Sequence, residues 1–202
     1  KSNLIVGASI LDINLSKFAQ LNNLRNFEFY SGIPGTVGGA VKMNAGCFGS
    51  ETKEILIDIK TINNKGVIKT INKKNLNLDY RQSHLPEGDI IISANFYCNY
   101  GDKNEIAKKM NEIRINREKT QPLKEKTSGS TFKNPKNNYA AKLIEMSNCK
   151  GLSEGGIFVS NKHANFLINK QQGNANQIEE LGNKIIEKVY NKFNIKLEWE
   201  IK

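Results

Sequence analysis

The feature that most constrains the fold is the glycine-dense stretch from Gly32 to Gly49, which reads Gly32-Ile33-Pro34-Gly35-Thr36-Val37-Gly38-Gly39-Ala40 and then Met43-Asn44-Ala45-Gly46. Backbone without Cβ atoms reaches conformations and close approaches that other residues cannot. It also weakens a helix or strand interior. The stretch must therefore be held by its neighbours. It is neither GxGxxG nor GxxxxGK[ST], so no dinucleotide or P-loop fingerprint applies. Both a tight structural turn and a loop whose amides converge on an anion such as a diphosphate fit it, with Thr36 and Asn44 as added polar contacts.

Around this stretch the hydrophobic period alternates between strand and helix. Leu15, Phe18, Ala19 and Leu24 predict a short amphipathic helix. Residues 55–62 and 67–71 are β-branched runs separated by Asn63-Asn64-Lys65-Gly66, which predicts a hairpin. Residues 90–97 predict another strand. Beyond Gly101 the period lengthens: Ile106, Met110 and Ile113 predict a helix that ends before Pro122. Helices are also expected over 139–146 and along Ile178, Leu181, Ile185, Val189 and Phe193, with strand and turn over 156–169 between them. Alternation from Ile195 to Ile201 predicts a terminal strand. No internal repeat is present. The class is α+β, with a boundary expected between 1–100 and 101–202.

Composition narrows the function classes. The chain has 202 residues, 38% of them apolar, enough for a buried core without staples. No apolar run is long enough to cross a bilayer, and the first ten residues lack a signal-peptide core. A cytoplasmic protein is expected. The chain opens at Lys1 without a methionine, as a fragment or processed chain does. Cys47, Cys98 and Cys149 form neither a CxxC pair nor an even framework, so buried thiols are expected, with no metal. The net charge of +10, from 30 basic and 20 acidic residues, is compatible with nucleic acid or an anionic small molecule. Many of the lysines stand among asparagines, as in Asn72-Lys73-Lys74-Asn75, which reads as compositional bias on a solvated face. Aromatic content of 8% and the absence of an RNP-like motif argue against RNA.

Several side chains are candidates for chemistry. Arg81, in Tyr80-Arg81-Gln82-Ser83, is a permanent cation that suits a carboxylate, or a plain surface arginine. Thr127 to Pro135 gathers hydroxyls, an ammonium and a carboxamide around one turn; Ser130 is either a proton donor or part of a hydroxyl-rich cap. A serine hydrolase is a poor account of Ser130, because only His84 and His163 are available as bases and GxSxG is absent. His163, in Lys162-His163-Ala164-Asn165-Phe166, reads as a structural hydrogen-bonding residue or a ligand contact. Glu198 and Glu200 lie two apart on the expected strand and so share a face, either in a cleft or at the surface.

In this order, the glycine stretch, Tyr80-Arg81, Gly129-Ser130-Thr131-Phe132-Lys133-Asn134-Pro135, Ala141-Lys142-Leu143-Ile144-Glu145, Lys162 to Phe166 and Leu197-Glu198-Trp199-Glu200 resemble the UDP-N-acetylenolpyruvoylglucosamine reductase (MurB) family, in its shorter type II branch. The resemblance covers essentially the whole chain. It implies the C-terminal part of a PCMH/VAO-type FAD-binding domain followed by a smaller α+β substrate-binding domain. It implies FAD as cofactor and NADPH as co-substrate in the reduction of UDP-N-acetylglucosamine enolpyruvate to UDP-N-acetylmuramate, a peptidoglycan precursor. By the same resemblance Arg81 and Glu200 polarise the substrate and stabilise an enolate, and Ser130 gives the proton to C2. Pro34, Gly35, Thr36, Gly38, Gly39, Asn44, Ala45 and Gly46 then line the FAD, while Tyr80, Arg117, Lys133 and Asn134 contact the UDP-sugar. A monomer with no nucleic-acid or membrane partner is expected. The sequence departs from the family at Phe48, where a tyrosine is usual, and at Lys202, where an arginine is.

Overall fold

The β-branched runs pair into one antiparallel sheet. In the computed structural model, which describes residues 2–201, the chain forms two compact units, 1–116 and 117–202. The first contains β1 (Ser2–Gly7), α1 (Asp12–Leu21), β2 (Leu24–Arg25), a 3-10 turn (Glu28–Gly32), α2 (Val37–Lys42), β3 (Gly46–Cys47), β4 (Ser50–Glu51), α3 (Thr52–Ile55), β5 (Leu56–Ile62), β6 (Ile68–Asn72), a second 3-10 turn (Lys73–Leu76) and β7 (Ile90–Tyr100). It also takes most of α4 (Lys103–Thr120).

The sheet order is β1-β7-β5-β6, with β2 pairing the end of β7. The expected hairpin is β5 and β6. Its turn is closed by Asn63, whose Oδ1 accepts from the amides of Lys65 and Val67 at 3.0 Å each. Strand β1 was not anticipated; it pairs with β7 in register from Ser2 opposite Cys98 to Gly7 opposite Ser93. Against the sheet lies a ring cluster in which Phe27, Tyr30 and Phe96 are fully buried, Phe96 meeting the other two edge-on at 5.8 and 6.1 Å. In α1 the buried face is Asp12, Leu15, Ser16 and Ala19. Phe18 lies off it and is half exposed, contrary to the predicted stripe.

The division between units falls inside α4, later than the 100/101 boundary that the change of period suggests. Packing explains this. Ile106 and Ile113 are the buried residues of α4, and Ile113 sits so close to Gly32 that a Cβ there would stand 2.9 Å from it. Most of the helix thus falls in the first unit, with Ile113 beside Gly32.

The second unit holds β8 (Thr127–Ser130), α5 (Ala140–Met146), β9 (Ser153–Glu154), β10 (Ile157–Val159), β11 (Phe166–Asn169) and α6 (Ala175–Phe193). The antiparallel sheet order is β8-β11-β10-β9. Helix α6 starts with a capping box between Asn174 and Gln177, and its predicted stripe buries Leu181, Ile185 and Val189 against Phe132, Ile144 and Leu197. Gly182 faces Trp199 so closely that any Cβ would overlap the indole. The predicted terminal strand is reduced to one bridge, Phe132 to Trp199. Asparagine takes the left-handed position at four α-helix ends: Asn23 after α1, Asn44 after α2, Asn148 after α5 and Asn194 after α6, with φ of 57, 39, 55 and 54°. Glycine is the usual choice there.

Candidate functional site

Within the first unit, the glycine stretch divides by what each glycine is needed for. Gly32 is required by packing, since a Cβ would stand 2.8 Å from Cys47 Sγ, and at Gly38 a Cβ would press on Ala8 Cβ at 3.0 Å. At Gly46 a Cβ would overlap the Ser50 carbonyl oxygen. Gly49 is required by its φ of 84°. Gly39 differs: it is exposed, and the nearest atom to an added Cβ is Thr36 Oγ1 at 3.6 Å. Protein packing does not demand a glycine there, and its bare backbone leaves room for a ligand to approach. Pro34 and Gly35 are also exposed.

The amides of this stretch do not all converge outward. Those of Val37 and Gly38 donate to the carbonyls of Ile10 and Ala8 at 2.9 Å, and that of Ala40 to Thr36 at 2.8 Å. Thr36 caps α2, its hydroxyl accepting from Gly39 N at 3.4 Å. Asn44 is fully buried: Nδ2 donates to Glu51 Oε2 at 2.8 Å and to the Asp79 carbonyl at 3.1 Å, and Oδ1 accepts from Lys53 N at 2.9 Å. Ala45 accepts from the amide and hydroxyl of Thr52 at 2.9 and 2.8 Å. Asn44, Ala45 and Gly46 therefore scaffold the exposed part of the stretch.

The same scaffold positions Arg81. Asp79 and Gln82 exchange main-chain hydrogen bonds of 3.1 Å, so Tyr80 and Arg81 form a two-residue turn. Arg81 has φ of 54°, uncommon for a non-glycine residue and a mark of functional or turn constraint. Its Nη2 donates to the Gly46 carbonyl at 3.0 Å and its guanidinium lies 4.9 Å from the Tyr80 ring centroid. Ser83 ties the turn to Lys42 O at 2.7 Å. The cation is thus fixed on the glycine stretch itself.

Within the second unit, Ser130 ends β8 after Gly129, whose φ of 90° only glycine adopts readily. The chain then runs beside the C-terminal segment: Lys133 N donates to Glu198 O at 2.8 Å and Glu200 N to Thr131 O at 2.9 Å. This register sets Thr131 opposite Glu200 and Lys133 opposite Glu198. The Lys133 ammonium is 3.6 Å from the Glu198 carboxylate, which is mostly exposed; Glu200 and Ser130 are half-buried. Asn134 accepts from Ala140 N at 2.9 Å and so caps α5. Arg117 Nε donates to Gln121 at 3.1 Å. A cavity of about 880 Å³ opens elsewhere in this unit, lined by Gln121, Lys124, Phe158, Asn161 and Lys170 among others, and none of the predicted site residues lines it.

Sequence reasoning missed Asp12, Thr131 and Asn165, all buried polar residues whose surroundings come from distant segments. Both Asp12 oxygens and Thr131 Oγ1 have no hydrogen-bond partner among the described residues. Burial raises the Asp12 carboxyl from 3.8 to about 7. His163 is also buried away from polar partners at Nδ1, its ring edge-on to Phe166 at 4.6 Å, and burial lowers its pKa. No group of three or more His, Cys, Asp or Glu able to hold a metal exists among the described residues, and no described helix is long and apolar enough to cross a membrane.

Residues 121–202 match the family model described as UDP-N-acetylenolpyruvoylglucosamine reductase, C-terminal domain. The UDP-N-acetylenolpyruvoylglucosamine reductase of Rickettsia massiliae (strain Mtu5) is 44% identical over 201 residues, spanning 100% of this chain and 68% of that protein. The chain belongs to the UDP-N-acetylenolpyruvoylglucosamine reductase family. The Rickettsia canadensis (strain McKiel) reductase is 43% identical over 202 residues, again 68% of its length. The crystal structure of the Thermus caldophilus reductase (MurB) superposes with a TM-score of 0.88 at 34% identity, covering 98% of this chain and 71% of that one. The α+β class expected from the sequence is the class this MurB-family structure has.

Proposed function

We propose that this chain works as a flavin- and NADPH-dependent reductase that converts UDP-N-acetylglucosamine enolpyruvate to UDP-N-acetylmuramate. The observation that carries the reading is Arg81, held on the glycine stretch by Gly46 in a strained turn, within a chain of this family. Gly39, glycine without a packing reason, fits a cofactor that must come close to the backbone. Pro34, Gly35, Thr36, Gly38 and Gly39 would hold FAD in the 1–100 region, on the scaffold of Asn44, Ala45 and Gly46. When bound, FAD supplies the hydride added at C3 of the enolpyruvyl group, with NADPH as the reductant consumed.

The protein's own groups do the rest. Addition of hydride next to a carboxylate builds negative charge, and the Arg81 guanidinium, already fixed, stabilises it without reorganisation. Ser130 donates the proton to C2; its hydroxyl need only meet a strongly basic carbon, so placement outweighs its resting acidity. Glu200 helps to polarise the substrate and stabilise the enolate, and Tyr80, Arg117, Lys133 and Asn134 orient the UDP-sugar, those beyond residue 100 forming the substrate-binding part. The reading includes a cytoplasmic monomer, a compartment supported by three cysteines without a disulfide.

The test is NADPH oxidation by the FAD-supplied chain with and without the enolpyruvyl sugar. Substrate-dependent oxidation is expected, falling about 10²- to 10⁴-fold in Ser130→Ala. FAD uptake with no response to the sugar would favour another flavoprotein of the same superfamily.

A further inference from the structure

The segment that carries Ser130 is held by one side chain outside the roles above. Ser130 pairs with Phe166, the first residue of β11. Before Phe166 the chain bends, with Phe166 N donating to the His163 carbonyl at 3.0 Å. On this edge the continuation of β8, residues 131–133, keeps a main-chain partner at Thr131 and runs out of one at Phe132. Asn165 supplies the missing rung. Its Oδ1 accepts from Phe132 N at 3.0 Å and its Nδ2 donates to the Phe132 carbonyl at 2.8 Å, so the carboxamide pairs with Phe132 as a peptide unit of a neighbouring strand does. Its own carbonyl accepts from Thr131 N at 2.8 Å. Asn165 is 4% exposed.

On the opposite edge, the same three residues bond to the terminal segment through Lys133 N to Glu198 O and Glu200 N to Thr131 O. Phe132 also stacks on Trp199, with ring centroids 4.9 Å apart. We infer that Asn165 is a positioning residue that sets the strand after Ser130 against the segment bearing Glu200, and thereby sets the two functional groups relative to one another. This rests on the reading that Ser130 and Glu200 act on the substrate. The residue type follows from the geometry. A planar carboxamide offers a donor and an acceptor side by side, whereas a carboxylate would turn an oxygen onto the Phe132 carbonyl and an alkyl group would leave both Phe132 groups unpaired in a buried place.

The test compares Asn165→Asp and Asn165→Ala with Val159→Ala, which removes volume from the core that Val159 shares with Phe132 but leaves every hydrogen bond of residues 130–133 in place. Amide exchange at Lys133 and Glu200, measured on the chain without ligands, is expected to speed up about tenfold or more in both Asn165 variants relative to α6. In the FAD-supplied chain, kcat for the enolpyruvyl sugar is expected to fall about 10- to 100-fold with KM nearly unchanged, while flavin reduction by NADPH keeps its rate. Val159→Ala is expected to lower the unfolding midpoint without that split. Unaltered exchange at Lys133 and Glu200, or Asn165 variants that lose both half-reactions together as stability falls, would overturn the assignment. Wild-type turnover in Ser130→Ala would instead remove the Ser130 reading, and the exchange rates alone would then decide whether Asn165 sets the strand.

Discussion

Asp12 is the residue the fold treats most harshly, a carboxyl with no accessible surface and no hydrogen-bond partner among the described residues. Its acidity moves from 3.8 in the unfolded chain to about 7 in the fold because burial penalises the charge. Below pH 3.8 the group is protonated in both states and has no effect. Between pH 4 and 7 the unfolded chain releases a proton that the fold retains, so stability declines with rising pH, and the loss is complete above 7. Asp12→Asn should therefore melt about 5 °C above the wild type at pH 8 and match it near pH 4, as thermal scans across pH would record. Arg81 makes the contrasting case. Arg81→Gly relieves a left-handed conformation, so stability should hold or rise by up to about 1 kcal/mol, while turnover falls at least about 100-fold. Arg81 could be singled out in the sequence because Tyr-Arg is a local motif. The burial of Asp12 and Asn44 was not legible, since it is decided by segments that fold in from elsewhere.

Elements were legible where their periodicity was long and consistent. The β5–β6 hairpin and α6 carry unambiguous alternation and a three-four stripe, and both form where expected. The terminal segment also alternates, yet only one bridge forms, because its partner segment beside Phe132 is short. Helix α6 depends on a residue that its stripe does not reveal. At Gly182 an alanine methyl would overlap Trp199, so Gly182→Ala should destabilise by about 1–3 kcal/mol and shift the emission of this single tryptophan, despite alanine's higher helix propensity. The bend before β11 carries a pH signature. His163 has its pKa lowered by burial, so below its ordinary 6.5 the unfolded chain binds a proton that the fold resists. Stability is full above pH 6.5 and should fall as pH drops toward the depressed value, a slope that His163→Gln should remove in chemical denaturation at stepped pH.

The whole molecule has two hydrophobic cores, one built on Phe27, Tyr30, Ile59 and Phe96 and the other on Phe132, Ile144, Leu181 and Ile185. Truncating either should cost about 3–5 kcal/mol for Phe96→Ala and 2–5 kcal/mol for Ile185→Ala, with hydrogen exchange locating the lost protection in the unit that bears the change. The sequence marked the change of architecture by the change of period near residue 100, but the first unit extends through most of α4, because a helix is assigned by what its buried face touches and not by where its pattern starts.

Asparagines at the ends of α1, α2, α5 and α6 bear on the composition of the chain as a whole. Left-handed positions are among the few in a folded protein where asparagine is nearly as acceptable as glycine. Mutational drift that enriches lysine and asparagine can therefore accumulate there at small energetic cost, leaving cores and catalytic loops to keep their residue types. Turns of this kind act as a reservoir for compositional drift, and a lineage under such pressure should show its excess asparagine first at helix ends.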